Sequence, residues 1–241
     1  MKKLNISDNK TVRSILLNFV IAAVSLFFNG FGIYLTMKAG IGAAPWDVLS
    51  LGLSKTFGIL YGTASISVSV TILIIDILMK EPIGLAMIID AIVVGKSVDF
   101  FNYINPVPAP ESIPGSIGLL LLGLFVIGYT QLFYMRAALG CGPRDTLLVG
   151  LKKRLTRIPI GAVSIGLLST ATLIGYLLGG PVGLGTLLCA FLQGPIMQLS
   201  FRSLSFDATR VSHQRFSETF AVFAAAFKNR HGFSAGRRKH A

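Results

Sequence analysis

Gly42-Ala-Ala-Pro45-Trp-Asp47 and Gly140-Cys-Gly-Pro143-Arg-Asp145 are two versions of one motif, G-x-x-P-x-D, that begin 98 residues apart. Matching glycine, proline and polar residues continue at an offset of 98 or 99 as far as Gly95 and Gly194. A second stretch that matches the first at a nearly constant offset indicates an internal duplication.

Long uncharged runs surround both motifs. Apolar residues make up 53% of the chain and charged residues 13%, which is about half the charged share of a soluble domain. The main runs cover residues 14–37, 56–75, 112–135 and 158–201, and the last contains Gly179-Gly180-Pro181 near its middle. Since about 20 residues cross the hydrocarbon core, these runs and a weaker one at 83–103 predict about six transmembrane helices.

Each copy of the duplicated unit comprises a span, the glycine-rich break, a short helix, and two spans joined by a tight turn. An odd number of spans makes the second copy enter the membrane from the opposite side, as in many secondary transporters. The predicted fold is an all-α membrane protein with two inverted three-helix repeats, each with a short interfacial or re-entrant helix. Its predicted segments are a cytoplasmic segment at 1–13, repeats at 14–104 and 115–203, an outer loop at 105–114, and a basic cytoplasmic tail at 204–241.

Basic residues are distributed unequally between the predicted loops. With the N-terminus inside, 19 of the 22 Lys and Arg residues fall on the inner side, which predicts that both termini are cytoplasmic. In the tail, Phe216, Phe220, Phe223 and Phe227 share one helical stripe flanked by basic residues. This stripe predicts an amphipathic helix on the anionic inner leaflet, with a solvated disordered tail as the alternative. Because orientation already accounts for the net charge of +12, no nucleic-acid partner is predicted.

The duplicated motif is typical of a helix start. Glycine permits the chain to leave the preceding helix, proline suits the first helical position, and an aspartate two residues later faces the positive end of the helix dipole. Asp47 and Asp145 therefore either only cap the short helices 46–57 and 144–156, or face a cavity and bind a substrate or cation.

Three charged residues lie in the weak third span. Asp90, Lys96 and Asp99 have Cys189, Pro195 and Gln198 as their counterparts in the second copy, so these charges belong to one half only. Intramembrane charges usually face the bundle interior or water, although Lys96 and Asp99 could simply neutralise each other. The candidate substrate- or ion-binding residues are Gly42, Pro45, Asp47, Asp90, Lys96, Gly140, Pro143 and Asp145.

Neither a metal site nor a catalytic site is predicted. The two cysteines, Cys141 and Cys189, fit no metal or redox spacing, and the three histidines all lie in the tail. No cofactor is expected, and without clustered nucleophiles or paired acids we expect no enzymatic activity.

The G-I-G-A-A-P-W-D-V-L and G-C-G-P-R-D-T-L segments resemble the YczE/YyaS/YitT-type family of bacterial integral membrane proteins over roughly residues 15 to 205. The resemblance implies a multi-pass protein of the bacterial inner membrane and supplies no mechanism. The repeat, the paired motifs and the span-three charges predict a transporter- or permease-like protein that binds a small molecule or ion. The alternative is a non-enzymatic accessory factor that supports a partner complex or biosynthetic system, and whether the protein forms an oligomer is left open.

Overall fold

The computed structural model describes residues 9–137 and 142–206. Within these residues the chain forms eight α-helices and no strands, which confirms the predicted all-α class. The helices are α1 (Asn9–Lys38), α2 (Pro45–Phe57), α3 (Tyr61–Leu78), α4 (Leu85–Ile104), α5 (Ile113–Arg136), α6 (Pro143–Arg154), α7 (Ile160–Leu177) and α8 (Leu184–Ser203).

Five of these helices are long and apolar enough to cross a membrane, namely α1, α3, α5, α7 and α8. The sixth long helix, α4, has 20 residues and carries Asp90, Lys96 and Asp99. Several spans are therefore supported by length and composition, whereas a sixth span at α4 stays a prediction. The predicted tail helix around Phe216–Phe227 and most of the N-terminal segment 1–13 lie outside the described residues.

The two short helices begin at the prolines of the duplicated motif. Pro45 is the first residue of α2 and Pro143 the first of α6, and the residue before each has extended backbone geometry. Proline at this position loses no hydrogen bond, since the first amide groups of a helix have no partner within the helix. The local sequence therefore determines where both short helices begin.

The long helices pack around a central pair. α1 lies along α5, α4 packs on α1, and α8 packs on α5. Each short helix packs on a long helix of the other half, α2 on α7 and α6 on α3. These contacts form matching sets: each one made by a helix in α1–α4 has a corresponding contact of its counterpart in α5–α8.

The crossing of α1 and α5 depends on glycine. A Cβ atom added to Gly123 would lie 2.7 Å from the Gly32 carbonyl oxygen, and one added to Gly32 would lie 2.9 Å from the Gly123 carbonyl oxygen. The two backbones are thus in direct contact. Such an approach lets helices associate in lipid through close packing, where no hydrophobic driving force acts between them.

The ends of the short helices contact the tight turns of the opposite half. Thr56, next to the last residue of α2, donates from Oγ1 to the Leu178 carbonyl at 2.9 Å, and Arg154, the last residue of α6, donates from Nη2 to the Met79 carbonyl. Thr56 and Arg154 are 98 residues apart, and Met79 and Leu178 are 99 apart. The same contact is therefore made once in each direction between the halves.

We expect Gly123→Val to lower the stability of the protein, because the added side chain would collide with backbone atoms of α1. Overpacking of this kind costs about 1–3 kcal/mol. Thermal unfolding in detergent, followed by intrinsic fluorescence, measures the change. Gly118→Val is the matched control on the same helix, since no atom of the described residues lies within 4 Å of a Cβ added there. Equal effects of the two variants would contradict the proposed role of the crossing.

Candidate functional site

The first motif lies against the start of α8. Gly42 has a φ of +114°, and a Cβ atom there would lie 2.7 Å from the amide nitrogen of Gly183. The backbone on either side is fixed by hydrogen bonds from Ala43 N to Pro181 O at 3.3 Å and from Gly185 N to Ile41 O at 2.7 Å. Glycine is required at position 42 for both its backbone conformation and this close approach.

The second motif lies against α4. A Cβ atom at Gly142 would lie 2.8 Å from Oδ2 of Asp90, so the Asp90 carboxylate is adjacent to the start of α6. In the first copy Ala44, the counterpart of Gly142, packs against a cluster that contains Cys189 of α8, the counterpart of Asp90. Gly140, the first glycine of this motif, lies outside the described residues.

The two motifs meet at Trp46 and Arg144, which occupy the same position in each copy. The guanidinium carbon of Arg144 lies 5.3 Å from the centroid of the Trp46 ring, within the range of a cation–π interaction. Nη2 of Arg144 also donates to the Ser65 hydroxyl at 3.5 Å. The starts of α2 and α6 therefore converge at one place between the halves.

Three carboxylates lie near enough to this arginine to interact with its charge, although none forms an ion pair with it within the described residues. Asp47, Asp90 and Asp145 all interact electrostatically with Arg144. Asp47 is only 3% exposed, and it accepts a hydrogen bond from the Tyr61 hydroxyl at 2.7 Å. The hydrogen bond to Asp47 thus comes from α3 and not from the α2 backbone, so this side chain does more than cap its own helix. We refer to Asp47, Tyr61, Ser65, Asp90, Arg144 and Asp145 as the central cluster.

The central cluster extends from the packed interior to an accessible surface. Asp47, Tyr61 and Ser65 are buried, Asp90 and Arg144 are half-buried, and Asp145 is exposed. The cluster therefore reaches an exposed surface at Asp145.

A separate apolar groove lies beside the cluster. Its volume is about 420 Å³, and it lies between α3 and α7 with α2 and α6 at its base. The Trp46 ring lines the groove and also carries Arg144. One aromatic side chain therefore links an apolar surface with the charged cluster.

The other charges of α4 lie elsewhere. Lys96 is exposed on α4, and the structure does not bring it to the central cluster. Oδ1 of Asp99 accepts from the Gly62 amide at 2.7 Å, so Asp99 caps the start of α3. Within the described ranges the ion pairs join Glu81 to Lys153 and Arg154, and none joins Lys96 to Asp99.

Sequence reasoning missed four members of this region. Arg144 was counted as a cytoplasmic charge, and Tyr61, Ser65 and Trp46 gave no signal of a shared site. Position 144 could have been identified, because it lies inside the motif between Pro143 and Asp145 and is the counterpart of Trp46. Asp76, near the end of α3, is fully buried.

The end of α6 is fixed by a charged contact outside the spans. Glu81, in the turn between α3 and α4, pairs with Lys153 at 2.5 Å and with Arg154 at 3.3 Å. The hydrogen bond from Lys153 is the main cause of a lowered Glu81 pKa, opposed by desolvation and assisted by Arg154. The counterpart of Glu81 in the second copy is Gly180, so this contact belongs to one half only.

Comparison with known proteins identifies relatives without a known activity. Residues 16–202 match the profile of DUF6198, a family of unknown function. An uncharacterized membrane protein, YczE of Bacillus subtilis, is 30% identical over 190 residues, which cover 78% of this chain and 87% of the relative. An uncharacterized protein of Haemophilus influenzae is 31% identical, over 70% of this chain and 76% of its own length.

A third relative is YyaS, an uncharacterized protein of Bacillus subtilis. It is 25% identical over 76% of this chain and 92% of its own length. The resemblance to YczE and YyaS inferred from the two motif segments is therefore confirmed. No solved structure matches the chain.

Replacing Glu81 with Gln should destabilise the protein at neutral pH, because two half-exposed ion pairs are lost, together about 1 kcal/mol. A carboxylate whose pKa is lowered by folding stabilises the fold above its ordinary pKa of 4.5 and ceases to do so as the pH falls through the folded value. The difference between wild type and variant should therefore be fully present at neutral pH and shrink as the pH falls below 4.5. Thermal unfolding across this pH range measures it, with Glu111→Gln, at an exposed loop carboxylate, as control; a difference that does not shrink in acid would contradict this assignment.

Arg144→Leu should destabilise the fold by about 1–3 kcal/mol, because three carboxylates lose the cation they share. Adding Asp90→Asn should restore part of the loss, since one uncompensated charge is then removed. A double-mutant cycle measured by thermal unfolding gives the coupling free energy. A control cycle combines Asp90→Asn with Arg202→Leu, which changes an exposed arginine of α8. Effects that add within about 0.5 kcal/mol would show that Arg144 and Asp90 do not interact.

Proposed function

We propose that this chain, which belongs to DUF6198, a family of unknown function, is a transporter-like permease. One of its relatives is an uncharacterized membrane protein. The permease works without enzymatic chemistry in the bacterial inner membrane, with both termini cytoplasmic. Its six spans form two inverted three-helix repeats, and a small molecule or ion binds between them. The substrate site is the central cluster together with the two motif starts.

The meeting of Trp46 and Arg144 carries this proposal. These residues occupy the same motif position in the two copies, and they contact each other across the boundary between the halves. In transporters built from inverted repeats, the site lies at the repeat interface and is formed by helices that begin inside the protein. α2 and α6 are too short to span, at 13 and 12 residues, and both begin beside this contact.

The composition of the central cluster favours a cation. Asp47, Asp90 and Asp145 all interact electrostatically with a single guanidinium, so ionised carboxylates would outnumber basic groups three to one. The starts of α2 and α6 add partial positive charge, which offsets only part of this excess. A cationic substrate, or an anionic or neutral one that moves with H⁺ or Na⁺, fits this balance.

The accessibility of Asp145 supports a route to the site. Asp145 is exposed, Asp90 and Arg144 are half-buried, and Asp47 is closed off by Tyr61. Intramembrane charges are stable where they face water or pair with one another. This gradient of exposure is the arrangement expected where a water-filled passage ends at a closed binding site.

Expression in a strain that lacks the gene tests the proposal. We expect wild type to change the distribution of at least one small molecule across the membrane, measured by mass spectrometry of cells and medium. Asp47→Asn, Asp90→Asn and Asp145→Asn should abolish this change at equal expression, because each removes a charge from the site. Glu111→Gln, which alters an exposed loop carboxylate, is the matched control.

Two outcomes would reject the proposal. If all three aspartate variants behave as wild type, the central cluster binds no transported species. The second outcome is that no metabolite changes its distribution, while removal of residues 207–241 alone reproduces the growth defect of the strain that lacks the gene. The protein then acts as an accessory factor for a partner.

A further inference from the structure

The two halves differ at one contact between neighbouring helices. α3 packs closely on α4, whereas their counterparts α7 and α8 hardly touch. The other contacts between helices occur in matching pairs, such as α1 on α4 with α5 on α8, and α2 on α3 with α6 on α7. The difference is therefore confined to one pair of helices in an otherwise repeated arrangement.

Glycine makes the contact between α3 and α4 possible. A Cβ atom on Gly95 would lie 2.8 Å from the Gly62 carbonyl oxygen, and one on Gly62 would collide with the Gly95 carbonyl and with Asp99. The two backbones touch here, and the Asp99 carboxylate accepts from the Gly62 amide. This contact closes the end of the bundle where α3 begins and α4 ends.

The second copy carries the same glycines without the contact. Gly161 and Gly194 lie 99 residues after Gly62 and Gly95. In the part of the chain that the structure describes, no atom lies within 4 Å of a Cβ atom added to either one. A glycine inside a helix costs about 1 kcal/mol relative to alanine, and in this arrangement no close packing offsets that cost at Gly194.

Two further features of α8 fit a closed form of this pair. Gln198, the counterpart of Asp99, is exposed, and its amide oxygen is an acceptor of the kind that Asp99 provides for the start of α3. Pro195 lies inside α8, where it removes a backbone donor and permits the helix to bend. α8 therefore has both a bending point beside Gly194 and an acceptor for the Gly161 amide.

We propose that the two halves exchange these arrangements. In the second state α7 packs on α8 through Gly161 and Gly194, Gln198 accepts from the Gly161 amide, and α3 separates from α4 at Gly62 and Gly95. Both states contain one closed and one open pair, so the exchange conserves one glycine contact. The free energies of the two states can therefore be close, as a switch between populated states requires.

The exchange would expose the central cluster alternately to the two sides of the membrane, an assignment that rests on the proposed function. In the predicted orientation the Gly62–Gly95 contact closes the outer half, and the gap between Gly161 and Gly194 opens the inner half. The structure is then the inward-open state, in which Asp145 is exposed and Asp47 is closed off. Closing α7 on α8 would reverse this accessibility.

Disulfide trapping tests the closed form of the second pair. In a background without native cysteines (Cys141→Ser, Cys189→Ala), Gly161→Cys and Gly194→Cys are combined and oxidised in native membranes. We expect a cross-link, detected by the mobility of the denatured chain, because oxidation captures even a minor closed state. Gly118→Cys with Gly161→Cys is the control pair, since both are open glycines at opposite ends of the bundle in the predicted topology. Cross-linking no faster than this control overturns the proposal.

A reporter in the first pair tests the reciprocal opening. Val98 on α4 is fully buried and packs with Tyr61 of α3. Val98→Cys should react with a membrane-impermeant maleimide added outside only after the Gly161–Gly194 cross-link has formed. If Val98→Cys stays unreactive in the cross-linked protein, α7 and α8 close without opening α3 and α4, and the exchange is wrong.

These results separate the exchange from the function on which it rests. If the cross-link fails but the aspartate variants lose metabolite movement, the exchange is rejected and the proposed permease function is retained. A cross-link that exposes Val98→Cys, in a protein whose aspartate variants behave as wild type, shows that the motion exists and that the proposed function is wrong.

Discussion

The structure depends on one constraint: backbone groups at the ends of a helix inside a membrane protein must find partners in the protein. A spanning helix satisfies its backbone internally and leaves its ends in water. α2 and α6 cannot do so, because they are too short to reach both surfaces. Each therefore packs on a long helix of the other half, and a side chain in the last turn of each donates to a carbonyl of the opposite turn, Thr56 to Leu178 and Arg154 to Met79. The duplicated halves are thereby held together by reciprocal contacts.

This constraint also explains why charge collects at the boundary between the halves. The starts of α2 and α6 present unpaired amide groups and partial positive charge, which makes aspartate favourable at Asp47 and Asp145. Two such starts brought together would concentrate carboxylates, and Arg144 supplies the compensating cation. Trp46, at the same position in the other copy, provides the face on which that cation rests. One copy thus has an aromatic ring where the other has a charge, and the contact needs a residue from each half.

The features predicted from the sequence are those encoded locally. The apolar runs identify the long helices, and the motif places the starts of α2 and α6 at Pro45 and Pro143, because glycine and proline act on the backbone where they stand. The partners of the polar residues were not predictable in this way. Counting charges assigned Arg144 to the cytoplasmic side, and spacing suggested that Asp99 would pair with Lys96. The structure instead joins Asp99 to Gly62 and Asp47 to Tyr61, contacts between helices that no local pattern specifies.

The repeat provided information about partners only where both copies retained the same residues. Gly62 and Gly95 show what such a pair does when its helices are in contact, and Gly161 and Gly194 carry the same chemistry at helices that are apart. The same glycines permit the same helix contact in both halves. We infer that at this contact the halves differ in conformation and not in their packing residues. The residues that differ between the copies act at other places: Asp90 faces the start of α6 and Glu81 holds its end. Since a fold with two identical halves would have no reason to prefer one open pair, we infer that Asp90 and Glu81, two charges of the first half that contact α6 and have no charged counterpart in the second, bias which half is closed.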